Sequence, residues 1–481
     1  MSHIAIIGGG FTGTATAIQL CTSVSAPLDI VIVEPRETLG GGLAYGGNDH
    51  DHRVNGTHEL LVLFPDDISH FARWYESSGA SARDPGALDH SGTKYVRRTD
   101  VRAYMNDTLK KTLTENAFGS SVRHIQDRAV GADYLRQRLQ IKLTSGSTIE
   151  PNLVVLALGG QKPAPPKGIS PAAAHHSGYI GDPFVSEIIP RISPNDAVLL
   201  VGMGLTAADV VATLTRQEHP AQITTISRRG LLPQPQGKAP NVLALLERLA
   251  RPVPSFIERH SKELSLHATF RALRRDMALA IIEGRDQKEP FDEVRDASAW
   301  LWPNFTDVER HRFLRHLKPW YNVNRYRIVP QTGQINAEMA TSGQLNFRIA
   351  RLAGLDVLGD GQQAQLAERG GSVIDLTFDT VINCTGPQTL ESDPFLSALS
   401  DLGLAQSDNL GLGIEVDNSG RVLDKDGCAQ ATIWAFGFLT RGRFGDMTAI
   451  PQIAFRLHRS LPALTKAVTN VKNTFTCGDV R

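Results

Sequence analysis

The chain has 481 residues, with 50 lysines and arginines set against 50 aspartates and glutamates, and it holds 43 glycines but only 6 % aromatic residues. A net charge of zero offers nothing to attract nucleic acid or an anionic membrane surface, and the apolar runs are too short and too interrupted to cross a bilayer. The length exceeds what one core usually organises, so about two or three domains are expected.

The first element is an apolar run, Ile4-Ala-Ile-Ile7, that reads as a fully buried parallel strand. It enters Gly8-Gly-Gly10-Phe11-Thr12-Gly13 and then a helix of small residues from Thr14. Gly8 is expected to make the tight turn, and Gly10 to let the backbone approach a pyrophosphate. Gly13 lets the helix lie close to the strand, whose following helix points its positive end at the phosphates. The next strand, Asp29–Val33, ends in Glu34-Pro35-Arg36 at about the 20-residue offset where a carboxylate accepts both ribose hydroxyls of an adenosine. No secretory signal is read, because this strand starts almost at Met1 and runs straight into glycines.

A long irregular stretch follows from Gly40 to Gly92. Its His50, His52 and His58 lie in loop-like sequence, which does not hold a ligand set rigidly, and no metal is expected there. Leu153–Leu158 forms a strand that ends in Gly159-Gly160, and prolines at 163, 165 and 166 then mark a linker.

Ala197–Val201 is a second buried strand, and it opens a second fingerprint, Gly202-Met-Gly204-Leu205-Thr206-Ala207, with alanine a permitted third member. The strand after it, Gln222–Ile226, ends in Ser227-Arg228-Arg229-Gly230 instead of an acid. Two arginines there suit a 2′-phosphate by charge and by fork geometry, which favours NADPH over NADH.

From Asn241 to Leu317 apolar residues recur at helical spacing, with Trp302-Pro303 and Lys318-Pro319-Trp320 as helix ends. Strand signals return at Leu355–Leu358, Val373–Phe378 and Asp379–Cys384, the last running into Thr385-Gly386-Pro387, and again at Thr432–Phe436 before Gly437. The expected architecture is α/β: two Rossmann-like dinucleotide-binding domains, the second inserted in the first, with a helical extension. The expected boundaries are 1–165 for the first part of the FAD domain and 166–240 for the NADPH domain. Residues 241–345 form the helical extension, and 346–481 are the strands that return to complete the FAD domain. Cys21, Cys384, Cys428 and Cys477 are scattered without a CxxC pair, which fits a reduced, cytoplasmic protein and argues against a dithiol reductase.

These residues resemble a known group across almost the whole chain. Gly8–Gly13, Gly42-Leu-Ala-Tyr45, Val54-Asn55, Phe71-Ala-Arg-Trp74, Arg98 ahead of Tyr104, and Tyr179-Ile-Gly-Asp182 come in the group's order. So do Gly204-Leu-Thr-Ala-Ala-Asp209, Ser227–Pro233, Arg325-Tyr-Arg327 and Asn383–Pro387. The chain resembles the FAD/NAD(P)-binding flavoproteins that include aspartate N-monooxygenases and FAD-dependent urate hydroxylases. These are related in turn to the flavin-containing N-hydroxylating monooxygenases. The resemblance implies bound FAD, visiting NADPH and dioxygen. It also implies hydroxylation of a small polar metabolite, either an amino acid or a purine-like molecule, through a flavin C4a-hydroperoxide. A flavin-dependent NAD(P)H oxidoreductase that does not oxygenate is the alternative.

The resemblance places Asn55 near the isoalloxazine as the catalytic candidate. It makes Gly159, Gly386 and Gly437 cofactor contacts. Arginine's preference for phosphate points Arg97 or Arg98 to the FAD phosphates, and Arg325 and Arg327 are candidates to bind a nicotinamide phosphate or an acidic substrate. Where relatives carry Gly-Asp, this chain has Gly437-Phe438, so Asp446 or Thr448 is expected to stand in. Oligomeric state is not readable from the sequence.

Overall fold

A computed structural model describes residues 2–135, 138–160, 163–185, 188–237, 247–248, 251–260, 264–386 and 393–475. The strands before the linker are β1 (Ser2–Ile7), β2 (Leu28–Val33), β3 (Ser121–Ile125), β4 (Ala129–Leu135), β5 (Arg138–Leu143), β6 (Thr148–Ile149) and β7 (Leu153–Leu156). After it come β8 (Tyr179–Ile180), β9 (Val198–Val201), β10 (Ile223–Ser227), β11 (Leu345–Leu358), β12 (Gly361–Glu368), β13 (Val373–Phe378) and β14 (Thr380–Asn383). Last are β15 (Arg421–Leu423) and β16 (Ala429–Ala435).

The first sheet has the order β15-β16-β7-β1-β2-β3, with β1 parallel to both β2 and β7. Strands β1 and β2 are apolar on both faces because both faces are covered, as parallel sheets require. One cover is helix α1 (Phe11–Ser23), whose Ala15 and Ile18 meet Ile4, Ile6 and Ile30 in a fully buried cluster. The helices α2 (Arg98–Thr114) and α7 (Ile450–Phe475) close the same side through Tyr104, Met105 and Leu457. The small antiparallel sheet β4-β5-β6 covers the opposite face, with Ala132 and Ile141 against Ile7 and Val33.

The second sheet has the order β13-β12-β11-β10-β9-β14-β8 and carries helix α3 (Leu205–Arg216) after β9. Between β10 and β11 lies the helical segment. It includes α4 (Leu266–Ile282), α5 (Lys318–Arg325) and α6 (Pro330–Thr341). Its Val242–Leu249 portion is largely outside the described residues.

One sequence expectation is corrected here. The strands β11 to β14 do not return to the first sheet. Residues Thr380–Asn383 pair with Val198–Val201 of β9 and, on the other edge, with Tyr179–Ile180 of β8. Strand β11 pairs in parallel with β10. The second unit therefore extends to about Gly386, and the return begins later. The helix Pro394–Asp401 seats Phe395 and Leu399 in the first unit's core, and Ile433–Ala435 of β16 pair with β7. The physical reason is that a buried parallel strand reads the same in either sheet, and only tertiary pairing decides its membership.

Candidate active site

The first glycine turn is held by backbone and by one carboxylate. Gly8 adopts φ +105°, and a Cβ there would lie 2.6 Å from Ala157 O. Its N–H donates to Val33 O at 2.9 Å. A Cβ on Gly13 would collide with Gly8 O, so only glycine lets α1 lie this close to β1. The buried Glu34 carboxylate accepts from the Gly9 amide at 2.9 Å through Oε2, and from the Arg36 amide at 3.1 Å and Arg36 Nη1 at 3.2 Å through Oε1. Gly10 begins α1 with no side-chain cap, which leaves the amides of Phe11, Thr12 and Gly13 for a phosphate. Pro35 and the Arg36 side chain lie on the rim, exposed. Gly437 brings the C-terminal segment onto this helix end: its φ is +70°, and a Cβ would meet Thr12 Oγ1 at 2.6 Å. Beside Gly159, at the end of β7, there is open space. Close backbone approach, an uncapped helix end and a buried acid together fit FAD.

The second turn repeats the device. Gly202 has φ +126°, and its Cβ would fall 2.5 Å from Cys384 O, so the end of β14 braces this turn. Gly386 sits just beyond that brace, in the second unit and not in the first sheet. Gly204 opens α3 without a side-chain cap, and the first turn, which begins Leu205-Thr206, contains no acid. Arg228 and Arg229 are exposed at the end of β10, with no ion-pair partner among the described residues. The Ser227 Oγ accepts from the Gly230 amide at 3.0 Å and shapes their turn. A cavity of about 740 Å³ runs from Met203 and Gly204 past Thr225 to Leu232 and Phe347. This cradle fits a nicotinamide dinucleotide with a 2′-phosphate.

Four expected contacts are placed differently. Arg98, expected at the FAD phosphates, is engaged within the chain: its Nη2 meets Asp209 Oδ2 of α3 at 2.7 Å, and its Nε donates to Arg53 O at 3.2 Å. Arg97 turns to Asp84 at 3.4 Å. Arg325 and Asp446 are joined in a buried ion pair, with side chains 9 % and 6 % exposed, so each charge is met within the chain. Arg327 forks onto Asp292 at 3.1 and 2.9 Å. In each case an arginine in a partly dry setting takes a carboxylate of this chain, because an unpaired charge there is costly.

Asn55 lies at the junction of the units. Its carbonyl accepts from Gln236 Nε2 at 2.9 Å, and its own amide group has no hydrogen-bond partner among the described residues. Of the histidines set aside as metal ligands, His52 meets Thr213 and His58 meets Glu59.

A feature with no signature in the sequence lies where the helical segment meets Arg441–Thr448. A cavity of about 310 Å³ is walled by Phe270, Phe291 and Trp302, with Lys318, Tyr326 and Arg441 among its polar groups. Arg441 lies over the Phe438 ring, 3.4 Å from its centroid, and donates to Phe438 O at 3.0 Å and Leu412 O at 2.9 Å. Neither Lys318 nor Arg441 has an ion pair among the described residues. Burial pushes the Arg441 guanidinium down to about 10, against the pull of Tyr326, Asp408 and Asp446. Burial, reinforced by the nearby Arg441 charge, also lowers Lys318. Burial pushes the Asp446 carboxyl upward, but Arg325, with Arg295 behind it, holds it below the ordinary range. The cavity thus carries two partly enclosed cations whose nearest acid is already committed elsewhere.

Residues 5–161 match the FAD-NAD(P)-binding family, and residues 90–243 match the L-lysine 6-monooxygenase/L-ornithine 5-monooxygenase family. No curated protein matches the chain. Among solved structures, the ornithine hydroxylase of Pseudomonas aeruginosa in its reduced form is similar over 97% of this chain and 100% of that one, at 16% identity and TM-score 0.66. The ornithine N-hydroxylase of Kutzneria sp. 744, in a structure named for reduced FAD, NADP+ and L-ornithine, is similar over 98% and 100%, at 14% identity and TM-score 0.64. The L-lysine 6-monooxygenase of Pseudomonas syringae covers 98% and 100%, at 17% identity and TM-score 0.59. Two dinucleotide cradles on nested sheets define an FAD- and NADP-binding flavoprotein. Over residues 90–243 the chain is similar to the lysine/ornithine monooxygenases, and over nearly its whole length it shares the fold of the flavin- and NADPH-using N-hydroxylases named above. No helix among the described residues is long and apolar enough to cross a membrane.

Proposed function

We propose that this enzyme hydroxylates the amino nitrogen of an amino acid, using NADPH and dioxygen, and that the substrate is held by its carboxylate charge. The pairing of Lys318 with Arg441 in one cavity carries this reading. A cavity lined by Lys318, Arg441 and, at its exposed side, Arg274, whose one acid, Asp446, is committed to Arg325, recruits an anion, and charge-assisted hydrogen bonds to carboxylate are strong when partly desolvated. The relatives act on ornithine and lysine, whose side chains end in a cation. Here the same surplus of positive charge disfavours such a side chain and favours one ending in a carboxylate.

FAD would be held by the Gly8–Gly13 turn, Glu34 and the Gly437 segment, and when bound it supplies hydride acceptance and oxygen activation. The protein's own part is to position and to keep water out. Trp302, Phe291 and Phe270 make the cavity wall apolar, and Tyr326 and Thr448 share a hydrogen bond of 3.0 Å at its edge. The free amide of Asn55, at the junction of the two units, is the candidate to orient the reacting nitrogen. The cytoplasm, with its supply of NADPH, is the compartment that suits such an enzyme.

The test is NADPH oxidation across a panel of monocarboxylic, dicarboxylic and cationic amino acids, together with mass spectrometry under labelled dioxygen. A hydroxylamine carrying label, formed fastest from a dicarboxylic amino acid, is expected. Turnover without label in any product would favour the non-oxygenating alternative. Preference for lysine or ornithine would overturn the charge assignment.

A further inference from the structure

One face of α3 is given over to polar contacts with the other unit. Asp209, Thr213 and Arg216 fall at helical steps that share a face. Asp209 pairs with Arg98 at 2.7 Å. Thr213 Oγ1 donates to Asp49 Oδ2 at 2.8 Å and lies 3.2 Å from His52 Nε2. Arg216 pairs with Asp49 at 3.1 Å and with Asp51. The opposite face, with Val210, Val211 and Leu214, is buried in its own sheet. The docked segment Asp49–Arg53 ends two residues before Asn55, while α3 begins at the phosphate end of the second cradle. Arg98 ties the two together, since its N–H also donates to His52 O at 2.9 Å.

An apolar patch would join two units more simply. Partly buried ion pairs contribute little net stability, and their best-attested use is to fix register. We propose that Asp209, with Arg98, is a positioning residue for hydride transfer: the contact sets the angle at which the NADPH-bearing helix addresses the flavin. This rests on the FAD and NADPH reading above. Neither residue touches the reacting atoms, so both act through α3 and the Asp49–Asn55 segment.

The test uses FAD-loaded enzyme in anaerobic stopped-flow. Asp209→Asn is expected to slow flavin reduction at saturating NADPH by ~10-fold, because misplacement on the ångström scale costs at least that much. FAD content, the visible spectrum and reduction by dithionite should be unchanged. The exchange Arg98→Asp with Asp209→Arg should restore most of the rate, and added salt should slow the wild type more than Asp209→Asn. A wild-type rate in Asp209→Asn, or a change confined to the NADPH dissociation constant, overturns the proposal. If NADPH fails to bleach the wild-type flavin, the functional reading itself has failed. The contact is then judged by trypsin cleavage of the Gly46–Asn55 segment, which must quicken in Asp209→Asn for the docking to stand.

Discussion

Arg325 and Asp446 neutralise each other beneath the cavity, and that pairing is what leaves Lys318 and Arg441 without an acid. Had Asp446 stood free, it would offset one of these two cations. Breaking one partner of a pair this buried costs about 3–5 kcal/mol. Asp446→Ala is therefore expected to lower the thermal unfolding temperature by several degrees, and Arg325→Met with Asp446→Leu to recover most of that loss. The pair also sets an acid limit. The Asp446 carboxyl titrates below its ordinary 3.8, so its contribution is complete above that value and disappears as pH falls through the lowered one. Calorimetry on the single and double variants, across acid pH, decides this.

Lys318→Met is expected to raise KM for the anionic substrate by ~10- to 100-fold, the range for one charge-assisted hydrogen bond, with kcat less affected. Arg441→Met should do the same, while Arg441→Lys keeps part of the affinity. Equal loss for cationic and anionic amino acids would show that the two residues support the fold and do not read charge.

Both cations lose their protons more readily than their ordinary values allow, 10.5 for Lys318 and 12.5 for Arg441. Deprotonation removes the attraction, so substrate affinity should weaken as pH rises toward about 10, where Arg441 titrates. Substrate-induced changes in the flavin spectrum follow this directly. An affinity that stays flat to that pH would exclude the two groups as anion ligands.

At the second cradle, Arg228→Glu with Arg229→Glu should raise the NADPH constant far more than the NADH constant, since only NADPH carries the 2′-phosphate. Equal shifts in the two constants would reassign these arginines to an ordinary solvated turn.

In the first cradle, Gly13→Ala places a methyl against Gly8 O. Overpacking of this kind typically costs about 1–3 kcal/mol, and here it also pushes α1 away from the phosphates. The expected protein is folded but colourless after gel filtration. Flavin retained at the wild-type ratio would contradict the geometry.

Much of this was legible because glycine, apolar runs and a terminal acid or base are local signals. The tight turns at Gly8 and Gly202 and the close helix–strand approach at Gly13 were readable from spacing. The Arg228 and Arg229 turn was readable for the same reason. What escaped depended on distant partners. The apolar run Thr380–Asn383 looks alike in either sheet, and its place beside β9 is settled only by pairing across 182 residues, as between Ala197 and Asp379. Arg98 and Arg325 looked like free phosphate ligands because Asp209 and Asp446 lie far along the chain. Lys318 was visible only as a helix end, and nothing adjacent to Arg441 marked it. An arginine beside an aromatic, with no acid at helical spacing, is a faint signal that could have drawn attention to Arg441.

The nesting of one sheet inside the other also sets an order of assembly. Strand β7 waits for β16, which is synthesised only after every strand of the second sheet. On a ribosome the inner unit can close while the edge of the outer sheet at β7 is still bare, and a long loop must then be brought together at an entropic cost that grows slowly with its length. The inner unit, folded early, shortens that loop to the separation of its own ends. The flavin site is thus completed last, by the segment that carries Gly437. Until those residues arrive, the NADPH-binding part is built and the flavin-binding part is not.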